Sequence, residues 1–170
     1  AGGHAGTLSP FALVREVKQW FDGTVILSGS IGDGHSVASA IALGADFAYL
    51  GTRFIATEEA NAEPEYKKML EESAAQDIVY SSLFTGVLGN YLKPSIKNAG
   101  LDPENLPDAD KSSMNFGSGG NTDSKAWKDI WGSGQGIGGI KDSPSVAELV
   151  GRIKSEYEEA YNEFKLKTGN

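Results

Sequence analysis

The sequence predicts an α/β fold assembled from parallel β/α units. Two continuous apolar runs, Thr24–Ser28 and Phe47–Leu50, each end in a glycine-containing turn, and helical patterns precede and separate them. Apolar runs without alternation are the pattern of strands buried on both faces, as in parallel sheets. Right-handed crossovers place every strand's C-terminal end on one side of such a sheet. The turns Ser28-Gly29-Ser30-Ile31-Gly32-Asp33-Gly34 and Leu50-Gly51-Thr52-Arg53-Phe54 are therefore expected on one rim.

The sequence starts with Ala1-Gly2-Gly3-His4-Ala5-Gly6, an imidazole on a glycine-rich turn. Ser9-Pro10 follows as a helix start, because serine caps free amides and proline suits the first helical position. That helix is expected to reach about Asp22, with Val14, Val17 and Phe21 on one stripe and Asp22-Gly23 as its stop. After the first strand, a helix over Ser36–Leu43, closed by Gly44, leads to the second strand. Beyond Phe54 the rhythm breaks. Pro64–Ala75 is helical by its Tyr66, Met69 and Leu70 stripe, and Ile78–Leu92, apolar and broken by glycine, reads as two short helices or a helix-loop pair. Pro, Asp, Ser, Asn and Gly dominate Gly100–Gly139, where Trp127 and Trp131 stand one helical turn apart, and an ordered excursion fits better than a linker. Ser145 to about Leu166 is the strongest helix. Ser145 and Glu148 form a capping box, and Val146, Leu149, Val150, Ile153, Tyr157, Ala160, Tyr161 and Phe164 form a core stripe.

Composition narrows the function. The 170 residues, 39% hydrophobic, suit one ordinary core. A net charge of -8 disfavours nucleic acid or an anionic membrane as partner, because either needs a basic face. No cysteine is present, so disulfides, thiolate metal sites and cysteine nucleophiles are excluded. No apolar run approaches the ~20 residues that span a bilayer and no signal segment is seen, so a soluble, cytoplasmic protein is expected.

Adjacent βα turns rich in glycine and hydroxyl groups suit a phosphate cradle. Glycine lets backbone amides approach an anion, Ser30 and Thr52 can donate hydrogen bonds, and a following helix presents its positive end. In (β/α)8 barrels the loops after strands seven and eight commonly hold phosphate. The spacing matches neither a Walker motif nor G-x-G-x-x-G, which argues against a nucleoside triphosphate. His4 is the candidate for proton transfer, whereas His35 sits in a polar turn and reads as exposed. Copper chelation by Gly-Gly-His at a free terminus wants histidine third, so no metal is expected. Arg53, Glu58 and Glu59 read as a helix cap and its counter-ion.

The Ala-Gly-Gly-His-Ala-Gly turn, Leu-Ser-Gly-Ser-Ile-Gly-Asp-Gly, Leu-Gly-Ala-Asp-Phe-Ala-Tyr-Leu-Gly-Thr-Arg-Phe-Ile-Ala-Thr-Glu-Glu-Ala and the late Gly-Ser-Gly-Gln-Gly-Ile-Gly together resemble the nitronate monooxygenase family, once called 2-nitropropane dioxygenases. The resemblance implies the C-terminal part of a (β/α)8 TIM-type FMN-binding barrel with an inserted helical substrate domain. It divides the chain into barrel strands at 1–57, a helical cap at 58–134, and a flavin-adjacent loop with the barrel-closing helix at 135–170. It further implies His4 as catalytic base, Gly29, Ser30, Gly51 and Thr52 as FMN phosphate ligands, Gly2 and Gly3 lining the flavin, and Gln135 approaching it. Ser30 departs from the family's commoner Gly-Gly pair. The implied reaction is FMN-dependent oxidation of a nitronate or nitroalkane with dioxygen, without metal, in a protein that admits a homodimer. Flavin-dependent enoyl-acyl-carrier-protein reductases share the Gly-Gly-His turn and the phosphate loops and are the enzymatic alternative. A half-barrel that binds phosphate compounds without a complete active centre is the non-enzymatic one.

Overall fold

The computed structural model describes residues 1–107 and 129–169, so Trp127 and most of the Gly100–Gly139 excursion lie outside the described residues. Helix α1 (Pro10–Val17) has proline at its start, but the Ser9 side chain makes no capping bond, and the helix ends at Val17 rather than near Asp22. Val14 alone of its stripe is buried, while Phe11 and Trp20 are exposed.

Strand β1 (Ile26–Ser28) pairs in parallel with β2 (Phe47–Tyr49), and α2 (Gly34–Leu43) crosses between them. The expected β/α rhythm is present. The helix starts at Gly34, two residues before Ser36, because Asp33 caps it, accepting from the Ser36 amide while Ser36 answers in a capping box, and Gly44 closes the helix with φ 108°. Leu27 packs with Val14, Ile31, Ala40 and Ala45 in one core cluster. The opposite strand face differs from the expected two-sided burial: Ile26, Phe47 and Tyr49 are all exposed. In the described structure only one face of this two-stranded sheet is packed against helices.

A four-residue helix, α3 (Thr52–Ile55), and then α4 (Pro64–Glu72) follow β2. The next segment corrects the helical reading of Ile78–Leu92. β3 (Ile78–Ser81) and β4 (Gly89–Leu92) form an antiparallel hairpin, and α5 (Lys93–Asn98) comes after it. Tyr91 of β4 also bridges to Gly132, with the Leu92 amide donating to the Trp131 carbonyl at 2.8 Å. Gly89 and Asn90 are poor helix formers, and the partner segment that stabilises β4 lies forty residues away, where helix-period reasoning cannot see it.

The last helix, α6 (Val146–Thr168), carries the Ser145–Glu148 capping box and packs on α2. Its expected core stripe is correct only in part: Leu149 is buried, but Val150, Tyr161 and Phe164 are exposed. The helix outruns its partner. A second core cluster joins Ala56, Leu70, Leu92, Ile137 and Ile140, so residues from three parts of the sequence share one packed centre behind the cavity described below.

The α2–α6 contact supplies a test of this packing. A Cβ added at Gly34 would stand 2.2 Å from the Ile153 carbonyl oxygen and 2.3 Å from the Tyr157 nitrogen, both backbone atoms that move only with their helix. Gly34→Ala is expected to lower unfolding free energy by about 1–3 kcal/mol or more in denaturant titration; an unchanged midpoint would show that α6 is not seated as described.

Candidate active site

Ser28 pairs with Tyr49 at the C-terminal ends of β1 and β2, which sets the two following turns side by side. They border a cavity of about 560 Å³, a size ordinary for small-molecule sites. Gly3, His4, Gly29, Ser30, Gly51 and Thr52 all line it. Gly2 and Gln135 do not. Gly2 is buried, and its carbonyl accepts from the Gln135 amide at 2.7 Å, so this pair joins the first turn to the late glycine segment.

Two expectations about the cradle need correction. The Ser30 hydroxyl is directed to the Ala1 and Gly2 carbonyls, at 3.2 and 3.3 Å, and tethers the Gly-Gly-His turn. The positive end of α2 is also occupied internally. Asp33 takes the Ser36 amide at 2.7 Å, Glu156 takes the Gly34 amide at 2.8 Å, and the Ser36 hydroxyl accepts from Gly32 and Asp33. What is left uncommitted is upstream: the Gly29 amide ends the β1–β2 ladder, facing the Tyr49 carbonyl, but among the described residues no acceptor is hydrogen-bonded to the amides of Ser30, Gly51 or Thr52. The Thr52 hydroxyl accepts from the Gly134 amide at 2.9 Å and keeps its own proton to donate. A side chain at Gly51 would meet nothing within 4 Å, so this backbone is open to close approach.

Backbone geometry at the first turn is unusual. Ser30 is the one non-glycine residue with positive φ among the described residues, at 57°. This left-handed conformation costs roughly 1–2 kcal/mol for an L-residue. Gly29 beside it has φ 105°, and a Cβ there would fall 2.3 Å from the Ala1 carbonyl oxygen. Only glycine permits the two turns to touch.

The His4 ring is bounded on three sides. Its Nδ1 lies 3.1 Å from the Asn90 carbonyl oxygen, Tyr91 meets it edge-on at 5.3 Å between centroids, and Gly132 leaves room for it where any side chain would collide. Asn90, buried to 1% exposure, binds the same turn with its side chain: Nδ2 donates to the Gly3 carbonyl at 2.5 Å and to the Gly6 carbonyl at 3.1 Å. Nothing in the local sequence marks Asn90, because its partners are more than eighty residues away.

An aromatic side of the cavity also escaped sequence reasoning. Tyr66 stacks on Trp131 at 5.0 Å, and Phe84 meets Tyr91 edge-on at 4.9 Å. Tyr66 reads in sequence as core stripe, yet it lines the cavity and donates its hydroxyl to the Gly132 carbonyl. Burial pushes its phenol up to about 12, so it stays a protonated donor at neutral pH.

Arg53 lines the cavity too, but its guanidinium faces backward. It donates to the Ala56 carbonyl at 2.9 Å and to the Asp142 carboxylate at 3.0 Å, and Asp142 also takes Arg152 through both oxygens at 2.8 and 2.7 Å. Burial lowers the Arg53 guanidinium's hold on its proton and Asp142 counters that. Glu59 caps α6 by accepting the Val146 amide at 2.9 and 3.0 Å, a capping role on a helix distant in sequence. His35 is exposed on α2, outside the cavity. Among the described residues no three His, Asp or Glu side chains gather as a metal site, and no helix is long and apolar enough to cross a membrane.

A family model described as nitronate monooxygenase matches residues 1–156. A nitronate monooxygenase of Paraburkholderia phytofirmans is 30% identical over 97% of this chain, and a probable nitronate monooxygenase of Bacillus subtilis is 26% identical over 92%. In each case the chain spans 49% of the relative's length. Among solved structures, the nitroalkane oxidase of Streptomyces ansochromogenes superposes with TM-score 0.72 at 26% identity, covering 96% of this chain and 51% of that one. FabK of Thermotoga maritima superposes at 0.69 with 23% identity, covering 97% and 54%, which speaks to fold alone. The fold is thus that of TIM-barrel-like proteins.

Two measurements test the site's framework. Ser30→Ala keeps the left-handed strain and loses the tether, so it is expected to destabilise by about 1 kcal/mol, whereas Ser30→Gly removes both and should stay within about 0.5 kcal/mol of the parent. Equal losses in the two variants would mean that the strain is not there. For Asp142, the hydrogen bond from Arg152, with the charges of Arg152 and Arg53, holds the carboxyl below its ordinary value. A depressed native value contributes stability that is full above the unfolded value of about 3.9 and is lost as pH falls below it. The stability difference between parent and Asp142→Asn should therefore be constant near neutrality and shrink below about pH 4; a difference independent of pH down to acid unfolding would contradict the pairing.

Proposed function

The chain belongs to the nitronate monooxygenase family, and from that membership we propose that its cavity takes flavin mononucleotide and a nitronate or nitroalkane, which is oxidised with dioxygen. The observation that carries this reading is the set of uncommitted amides at Ser30, Gly51 and Thr52, with the free proton of Thr52, on the same cavity as His4. The residues fit the cofactor's phosphate: three amides and one hydroxyl proton offer what an anion accepts, and the open face of Gly51 allows contact with backbone. The phosphate would be bound mainly by main chain, with Ser30 contributing its amide.

Bound FMN supplies an electron acceptor that dioxygen can reoxidise. The protein's task is to position the substrate and move one proton. His4 stands where the glycine turn meets the aromatic side and is the general base, taking the proton from the acidic carbon beside the nitro group. Tyr91 and Gly132 keep its ring in place, and Tyr66 with Trp131 provides an apolar, flat surface for the organic part of the substrate.

Cofactor and chemistry are tested separately. The purified protein, loaded with FMN, should hold a yellow chromophore through gel filtration, and Thr52→Ala should weaken its retention; a protein colourless after loading would remove the cofactor assignment. Oxygen uptake with a nitronate is expected, and NAD(P)H oxidation with crotonyl thioester is not. In the loaded enzyme, His4→Asn should keep the flavin and cut turnover on the neutral nitroalkane by about 10²- to 10⁴-fold, far more than on the preformed nitronate, which arrives deprotonated. Equal losses on both substrates would place the base elsewhere.

A further inference from the structure

We infer that Asn90 is a positioning residue that fixes the His4 imidazole in its Nδ1–H tautomer and leaves Nε2 as the only proton acceptor of the ring. The inference deepens the reading of His4 as base and rests on it for its functional meaning, but the geometry stands independently of any turnover.

A carbonyl oxygen only accepts. With the Asn90 carbonyl 3.1 Å from Nδ1, the hydrogen bond exists only when Nδ1 carries the proton. The opposite tautomer would set two lone pairs against each other. In neutral imidazole, protonation of Nδ1 leaves the lone pair on Nε2, and among the described residues no group is hydrogen-bonded to that atom. A free imidazole in water favours the Nε2–H form, so the protein has to impose the other one.

Asn90 imposes it from several points at once. Its amide donates to the His4 carbonyl at 2.7 Å, and its side chain holds the carbonyls of Gly3 and Gly6, on either side of the histidine. Its carbonyl also accepts from the Ser133 amide at 3.1 Å, which pins that oxygen in place. One buried residue thus grips the turn that carries the ring and presents the acceptor that selects its tautomer. Turning the ring over about Cβ–Cγ would set Cδ2 in place of Nδ1 and forfeit the hydrogen bond, and the ring lies so close to Gly132 that even a methyl group there would be 2.6 Å from Nδ1 and from Cε1.

The sequence has two histidines, which makes the test direct. In the ¹⁵N-histidine-labelled protein at alkaline pH, long-range ¹H–¹⁵N correlation should show His4 with a protonated, pyrrole-type Nδ1 and a pyridine-type Nε2. Exposed His35 should show the ordinary Nε2–H pattern in the same spectrum. A His4 pattern equal to that of His35 overturns the inference. Asn90→Ala keeps the main-chain acceptor but releases the Gly3 and Gly6 carbonyls that hold the ring against it, so His4 should gain a population with the His35 pattern, and its turnover on neutral nitroalkane in the flavin-loaded enzyme should fall roughly 10- to 100-fold relative to turnover on nitronate. A folded Asn90→Ala protein with the parent's His4 signature would show that Asn90 is merely structural. Gly132→Ala is the second variant should Asn90→Ala fail to fold: it crowds the ring without touching the Asn90 side chain and should also shift the His4 nitrogens, and an unmoved signature counts against the constrained ring. Should the Nδ1–H signature be present while His4→Asn leaves nitroalkane turnover intact, the base assignment fails and the tautomer assignment survives.

Discussion

Contact between glycine backbones is the constraint on which this site depends. The turn carrying His4 rests against the Gly29–Ser30 turn so closely that a methyl group at Gly29 would overlap the Ala1 carbonyl. The late glycine segment closes against this turn through the Gln135 amide on Gly2, and against the second βα turn through the Gly134 amide on Thr52. Side chains at this junction would push the three segments apart by more than an ångström. The His4 imidazole and the open backbone amides of the two turns could then no longer border one small cavity. Ser30 stays in a left-handed conformation that disfavours it because its hydroxyl secures the junction, so a local cost of about 1–2 kcal/mol is offset by a bond between segments.

Around that junction the backbone donors are divided in a way that has chemical meaning. The first-turn amides of α2 are met by Asp33, Ser36 and Glu156, and the start of α6 is met by Glu59 and Ser145. The starts of α2 and α6 are therefore closed for structural reasons. The amides left open belong to the strand-to-helix turns bordering the cavity, where an unpaired donor keeps its value for a ligand. Arg53 makes the same point from the other direction. A buried cation on the cavity would be the obvious partner for an anion, yet Asp142 and two carbonyls hold it from behind. Its work is to tie the second turn to α6 through Asp142 and Arg152.

Much of the frame was legible because it is local. Apolar runs, Gly44 and the Ser145–Glu148 box each announce themselves within a few residues, and the two strands and three of the helices follow from them. His4, Gly3, Gly29, Ser30, Gly51 and Thr52 were legible as one cavity because parallel β/α units force successive turns to a common rim. What was illegible is non-local. The β3–β4 hairpin was hidden because its strands are glycine-broken and lean on residues near Trp131. Asn90, which holds the histidine turn, sits in that hairpin, and Tyr66 reads as an ordinary core tyrosine until Trp131 is placed against it. The resemblance sets Gly2 and Gln135 toward the flavin, whereas neither is among the residues that line the cavity.

The cavity that results has two unlike halves. One is a rim of main-chain donors that can satisfy negative charge without a single basic side chain; the other is a set of rings, Tyr66 on Trp131 together with Tyr91, which Phe84 backs from outside the lining. His4 stands at their seam, touched by Tyr91 from the aromatic half and by Asn90 from the backbone half. A proton acceptor is most useful there, since a substrate lying on the rings with its polar end toward the rim would bring its acidic carbon past the imidazole. Fixing the tautomer matters more than fixing the ring's distance in such an arrangement. A well-placed imidazole with its proton on the wrong nitrogen would face the same carbon and be unable to accept anything from it.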